Sequence, residues 1–410
     1  NIDTDNNTAV GYSALWKNTA ANNTSFGYNS LSENTTGTAN TAVGYRALTS
    51  TTTTSDNTAV GSDALYDNTT GSQNTAVGKS ALVANTTGVR NTGIGAYALD
   101  GTTTVSDCTA VGYAALTAAN TGTNNSAFGS AALQTNTSGA SNTGLGRYAL
   151  QANTTASYNT AVGNNAMYTN TTGGNNVAVG DSALMMNTTG VDNTAVGHQT
   201  LKSNTTAGRN TAIGKAALFT NTTGEQNTAV GYYALDHNTT GSYNVAVGDN
   251  ALSAITTASQ NVAVGKSAGG TCTTGNDNAL VGHYSGINLT TGAGNATVGR
   301  DTLRTASTAY DNVAVGLNSL YETTTGYQNT SVGRTSGYDL TTGNNNLLLG
   351  KDAGRANSPS GAITTGNNSV CLGNNDIANL YCADTSISSS DSRDKTDVTN
   401  FTNGLNWINQ

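Results

Sequence analysis

The sequence predicts an all-β fold: a parallel β-solenoid, or β-roll, of about 21–22 coils with a 17-residue period. Three observations predict it. The Gly of each Val-Gly pair recurs from Gly27 to Gly350 over 323 residues, which is nineteen steps of seventeen. Only the first step, Gly11 to Gly27, and the last, Gly350 to Gly373 around Pro359, differ. The chain is dominated by Thr, Asn and Gly, with 36% hydrophobic residues, many of them Ala, and 10% charged residues. That is too little large apolar surface for a globular core of 410 residues, and too little charge and Pro for a disordered chain. A short repeat that cannot bury a face alone must stack on its neighbours.

Within one repeat the residue before the marker Gly is always apolar, as at Phe26, Val43, Ile94, Leu145 and Val230. Two residues earlier stands Thr or Val, with Ala commonly between, as in Thr75-Ala76-Val77. This period of two predicts a short strand with the Thr/Val and Val positions on one face, the Val inward, and Ala on the other. Four residues after the Gly, Leu15, Leu31, Leu48 and Leu65 begin a column broken by Met167, Gly269, Gly286, Gly337 and Gly354, and read as the core of a second strand. The marker Gly and the Gly of Asn-Thr-Thr-Gly (Gly71, Gly88, Gly241) are assigned to corners, where positive φ favours Gly. Each block therefore reads strand, corner, strand, corner. A helical reading fails because seventeen fits neither a heptad nor an eleven-residue repeat, and turn-forming residues recur in every block.

Seventeen residues at about 3.3 Å make a path of roughly 55 Å, enough for one flattened coil, and stacking at about 4.8 Å predicts a rod on the order of 100 Å. Inserting a residue would turn later side chains to the wrong face, so the fixed length follows from each coil being the template for the next. The Asn four residues before the marker (Asn40, Asn57, Asn74, Asn193, Asn227) is expected to form a hydrogen-bonded ladder, as are the second Asn column and the Thr-Thr pairs. Asn34, Asn85 and Asn238 also match the N-glycosylation acceptor, a motif that recurs here for structural reasons.

The net charge of −8 is spread without basic clusters, which argues against a nucleic-acid partner, and no run of about 20 apolar residues predicts membrane insertion. Cys108, Cys272, Cys371 and Cys382 lack paired metal-ligand spacing; Cys108 and Cys272 replace Asn-type positions. His198, His237 and His283 are isolated substitutions, and no cofactor or metal site is predicted. Tyr12, Tyr28, Tyr45, His198, Tyr232 and Tyr233, with Trp16 and Phe219, occupy variable sites after the marker. They read either as sugar-stacking surfaces or, as Tyr12, Tyr28 and Tyr45 suggest, as an aromatic ladder between coils.

The phrase Asn-[Thr/Ser]-[Ala/Val]-Val-Gly-x-x-[Ala/Ser]-[Leu/Gly], over about residues 7 to 373, resembles the head repeats of trimeric autotransporter adhesins and the shafts of phage tail fibres. The resemblance implies a homotrimer, and a thin coil gives trimerisation a physical motive of its own. Residues 386–410 contain Ser-Ser-Asp-Ser-Arg-Asp-Lys-Thr-Asp, which resembles the start of the self-cleaving intramolecular chaperone domain of endosialidases, tail spikes and tail fibres. That resemblance implies a cut between Ser389 and Ser390, with Ser390 as nucleophile and Lys395 as its partner; a desolvated Lys can serve as base for a hydroxyl.

The expected organisation is thus a repeat shaft at 1–356, an irregular last coil and tip at 357–389, and a truncated chaperone start at 390–410. The expected function is a structural and adhesive trimeric phage tail-fibre shaft, extracellular on the virion. It presents a tip, sought at 374–389, to a host cell-surface glycan or protein, and is not itself an enzyme. The alternatives are a bacterial surface trimeric adhesin and a glycan-degrading tail spike. The spike would need paired carboxylates, whereas acids such as Asp63, Asp181 and Asp249 are scattered. Ice binding is disfavoured because the paired Thr are adjacent and must diverge.

Overall fold

The computed structural model of the chain describes residues 6–119 and 121–379. The chain divides into two compact units, Asn1–Asn244 and Val245–Gln410, each a parallel β-solenoid. Strands β1 (Thr8–Val10) to β14 (Thr228–Val230) belong to the first and β15 (Val245–Val247) to β22 (Val370–Leu372) to the second. Every strand has three residues. Within each unit a strand pairs with the strand of the adjacent coil, parallel and in register, as in Thr41↔Thr58, Ala42↔Ala59 and Val43↔Val60. All-β architecture, coil stacking and the 17-residue period therefore stand as the sequence predicts.

The faces of the strand are the reverse of the expectation. The middle residue points into the coil: Ala42, Ala59 and Ala76 are fully buried. The flanking Thr and Val point outward, with Phe26 at 55% and Leu145 at 48% exposure. The cause is the thinness of the coil. The opposite wall supplies a Leu, and a Leu facing a Val would overfill the gap, so the strand contributes its smallest residue.

That opposite wall is no strand but a run of turns. Two consecutive residues, such as Ala47 and Leu48, are both fully buried. A strand sends neighbours to opposite faces, so it cannot bury both. The chain turns instead, with positive φ at Arg46 (54°) and Leu48 (52°), and this alternation repeats coil after coil. Each left-handed residue carries a steric cost that its cross-coil hydrogen bonds offset: Arg46 N donates to Tyr28 O at 2.9 Å and Leu48 N to Ala64 O at 3.0 Å.

Both Asn columns form the expected ladders. The Asn74 backbone N–H donates to Asn57 Oδ1 (3.0 Å) and its side-chain Nδ2 to Gly88 O (2.8 Å), so one residue bonds the coils on either side. In the second column Asn153, Asn170 and Asn187 pass Nδ2 to Oδ1 bonds along the stack at 3.0 and 2.7 Å. The Thr pairs add bonds such as Thr69 Oγ1 to Thr86 O at 3.0 Å. Asn34, Asn85 and Asn238 lie in the second ladder and are fully buried, which removes them as glycan acceptors in the folded chain. Their Oδ1 atoms have no hydrogen-bond partner. The reason is sequence: the next position in the column is Thr51, Thr102 or Ile255, none of which supplies an amide.

The marker Gly has positive φ, +136° at Gly61, and a Cβ there would meet the Gly78 carbonyl carbon at 2.6 Å. Gly of Asn-Thr-Thr-Gly does not follow the corner expectation. Gly71 and Gly88 lack the positive φ, as does Gly326 of the equivalent Thr-Thr-Thr-Gly, and Gly is required because a side chain would strike the next coil, Gly343 O at 2.6 Å in the case of Gly326. The fixed period also has an exception. Between Gly350 and Gly373 the six extra residues leave as a turn, held by Ser358 N to Arg355 O (2.9 Å) and Gly361 N to Ser358 O (2.9 Å). Ile363 then rejoins the stack through Gly354 O. Leu347↔Val370 pairing is intact, so register is enforced at the strand while a corner absorbs the insertion.

Candidate functional site

The outward strand face recurs in every coil that carries a strand. None of the twenty-two strands contains a charged residue, and the position before the marker Gly is Val, Ile, Leu or Phe in all of them. Stacking in register turns this position into a partly exposed apolar column in each unit: Val10 48%, Ile94 40% and Ile213 41% in the first, Val298 51% in the second. Its neighbouring column differs between the units. In the first it is Thr in twelve of fourteen strands, Ser126 and Val177 being the others. In the second it is Thr once, at Thr330, and otherwise Val, Ala or Leu. Placing Val inward in the sequence reading hid this face. The Leu280 and Leu348 replacements of the middle Ala would have located the interior correctly.

The aromatic residues stack on one another. Tyr12, Tyr28 and Tyr45 are parallel, with centroids 5.2 and 5.5 Å apart, as the ladder reading expects. Tyr28 is thereby covered by a ring on each face, while Tyr12, at the end of the stack, stays 70% exposed. Tyr232 packs edge-on against Tyr233 (4.3 Å), Trp16 lies under Lys17, and Phe219 under Lys202. In the second unit a longer stack, not foreseen from sequence, climbs four successive coils. Arg304 covers Tyr321, Tyr321 stacks on Tyr338 at 4.8 Å, and Arg355 covers Tyr338 at 4.8 Å. Asp301 binds Arg304 at one end. At the other, Asp352 binds Arg355, and the hydrogen bond from Thr335 Oγ1, aided by Asn357 and Arg355, holds the Asp352 carboxyl below its usual range. The charges in this stack are matched internally, which suits a brace between coils.

The isolated acids and histidines are likewise engaged locally. Asp63 holds Arg46 from the preceding coil at 2.7 Å. Asp181 accepts from Asn164 at 3.1 Å and lies 3.7 Å from His198. His237 meets Asp236 at 3.1 Å and His283 packs on Tyr284. Asp249 sits beside Asn250. Asp63 and Asp181 are seven coils apart, about 33 Å at the usual strand spacing, well beyond the separation of a glycosidase pair within one chain. Among the described residues no group of three His, Cys, Asp or Glu could hold a metal ion.

Cys108 and Cys272 are buried in the two ladder columns, each with Sγ 3.5 Å from the carbonyl that an Asn would address, Gly122 O and Gly275 O. Burial pushes the Cys272 thiol up to about 11. Cys371 is buried in the strand-middle column. The predicted cleavage residues Ser389, Ser390 and Lys395, Cys382, and the part of the expected tip beyond Asn379 lie outside the described residues. The first part of that tip is described: Asn375 N bonds to Asn357 O at 2.9 Å, and Asn374 Nδ2 to Asp376 at 2.8 Å. No family model matches the chain, and no curated protein matches it.

Proposed function

We propose that this chain is a structural and adhesive fibre, a homotrimeric phage tail-fibre shaft with a C-terminal tip for a host surface glycan or protein. The observation that supports this most is the uncharged outward strand face, an in-register pair of columns that leaves apolar side chains in water along each unit. In the first unit, fourteen strands at about 4.8 Å and three residues of about 3.3 Å outline roughly 650 Å² per copy. That approaches the ~800 Å² per partner typical of a stable interface. An exposed apolar strip of this length favours association over a monomer, and a closed cyclic arrangement of identical chains covers it without leaving an open end.

The phage reading rests on the Ser-Ser-Asp-Ser-Arg-Asp-Lys resemblance, which also carries the proposed maturation: in the complete precursor Ser390 Oγ, deprotonated by Lys395, attacks the Ser389 carbonyl carbon, the Ser389–Ser390 C–N bond breaks to leave an ester and a free Ser390 amine, and water hydrolyses the ester. Two measurements test the proposal. Light scattering of the chain should give three times its 41.3 kDa mass, and a monomer would sink the fibre reading. Deleting 374–389 from the precursor should leave the assembly intact and abolish adsorption to host cells, while unchanged adsorption would remove the tip from that role.

A further inference from the structure

We infer that copies of this chain hold together chiefly through the strand face of the second unit, and that the strand face of the first unit contributes a weaker, wetter contact of its own. The inference rests on the self-association proposed above and goes beyond it by locating where the affinity resides. Its basis is the change of chemistry in one column. From β15 to β19 (Val313–Val315) both outward positions are apolar in every strand: Val245 and Val247, Val262 and Val264, Ala279 and Val281, Ala296 and Val298, Val313 and Val315. Val262, Val264 and Val313 are each 38% exposed and Val298 51%, so methyl groups stand in water on both columns. In the first unit the corresponding column presents hydroxyls, from Thr8 through Thr228 with Ser126 among them, and Val177 is the exception.

The occupant is a second copy of this chain. The strands themselves carry no charge, so their two outward columns offer a charged partner nothing to pair with. Its features repeat at the spacing of the strands, and a copy has the same spacing, so ridges on one can meet grooves on the other along its whole length. Removing methyl groups from water is favourable without a partner-specific geometry, whereas a Thr hydroxyl covered by another chain needs a hydrogen-bond partner to break even. The all-apolar columns are therefore the part of the face that gains most from being covered.

The test converts each unit to the chemistry of the other in the full chain. One variant carries Val245→Thr, Val262→Thr and Val313→Thr; the other carries Thr194→Val, Thr211→Val and Thr228→Val. All six changes keep a β-branched side chain at an outward strand position, and circular dichroism with a thermal melt checks that the coils remain folded. Dissociation on dilution, or in urea if the assembly is too tight to dilute apart, is followed by sedimentation. The first variant should dissociate at a concentration about tenfold or more higher than the parent, and the second should hold together more tightly than the parent. Equal or reversed sensitivity of the two units in an assembled parent overturns this inference while leaving self-association standing. A monomeric parent removes both.

Discussion

Leu280 fills the space that Gly269 and Gly286 leave empty: a Cβ placed on Gly269 would lie 2.8 Å from Leu280 Cδ1, and one on Gly286 3.2 Å from the same atom. In most other coils the strand gives Ala or another small residue and the turn wall gives Leu. Here the strand gives Leu and the turn wall gives Gly in two adjacent coils, and the same exchange recurs with Leu348 against Gly337 and Gly354. The expected consequence is strong coupling. Leu280→Ala alone should cost about 3 kcal/mol through the cavity it leaves, and Gly286→Leu alone should overpack. The double variant, which restores the pattern of the other coils, should be more stable than the sum of the two changes predicts. Additive effects in urea melts would refute the exchange.

The marker Gly and the Gly of the inserted turn should respond very differently to Ala. Gly61→Ala combines a positive φ with a collision against Gly78, so we expect loss of more than about 4 kcal/mol or failure to fold. Gly361 has φ +67° with nothing within 4 Å of a Cβ, so Gly361→Ala should cost only about 1 kcal/mol. Similar losses at both sites would show that close approach between coils is not what demands the marker Gly.

Position in the Asn ladder should set the cost of removing an Asn. Asn170 accepts from Asn187 and donates to Asn153, so Asn170→Leu orphans an amide on each side. Asn238 ends its ladder with Oδ1 unpartnered beside Ile255, so Asn238→Leu orphans only the acceptor on Asn221. The first should be more destabilising than the second by about 1–3 kcal/mol in denaturant melts. An equal cost would mean that the amide chain contributes no cooperativity.

Asp236 predicts a pH effect of defined sign. Burial raises its pKa, the neighbouring His237 offsets this only in part, and its Oδ1 has no hydrogen-bond partner. A folded pKa above the unfolded value means that the folded state holds the proton more readily. The ionised group therefore costs stability, a penalty that grows as pH rises from the unfolded toward the folded pKa and is full above it. Asp236→Asn should stabilise the protein at pH 7 by about 1 kcal/mol, and the gain should shrink as pH falls into the ordinary carboxylate range. A gain that is unchanged at pH 3.5 would exclude the carboxylate as its source.

The buried cysteines should be silent in the native protein. With Cys108, Cys272 and Cys371 enclosed and the Cys272 thiol pushed up to about 11, a thiol reagent at pH 8 should leave these three unmodified until denaturant is added. Mass spectrometry of the labelled peptides gives the answer, and rapid native labelling of Cys272 would contradict the ladder position assigned to it.

The sequence by itself determined the period, the parallel in-register stack, the Asn and Thr ladders and the Tyr12, Tyr28 and Tyr45 column, because each follows from repeating one residue at one spacing. What only the tertiary structure decided was direction. The identity of Val43 and Ala42 says that they face opposite ways, but which way is inward depends on how much room the facing wall leaves, and Leu48 leaves room for Ala alone. The same wall decided between strand and turns, since burying Ala47 and Leu48 together is possible only where the backbone adopts positive φ. Gly71 was legible as special but not for its reason, because the carbonyl that forbids a side chain there belongs to the next coil. From the inversion of Val and Ala comes the apolar outer face, the surface on which the proposed assembly depends.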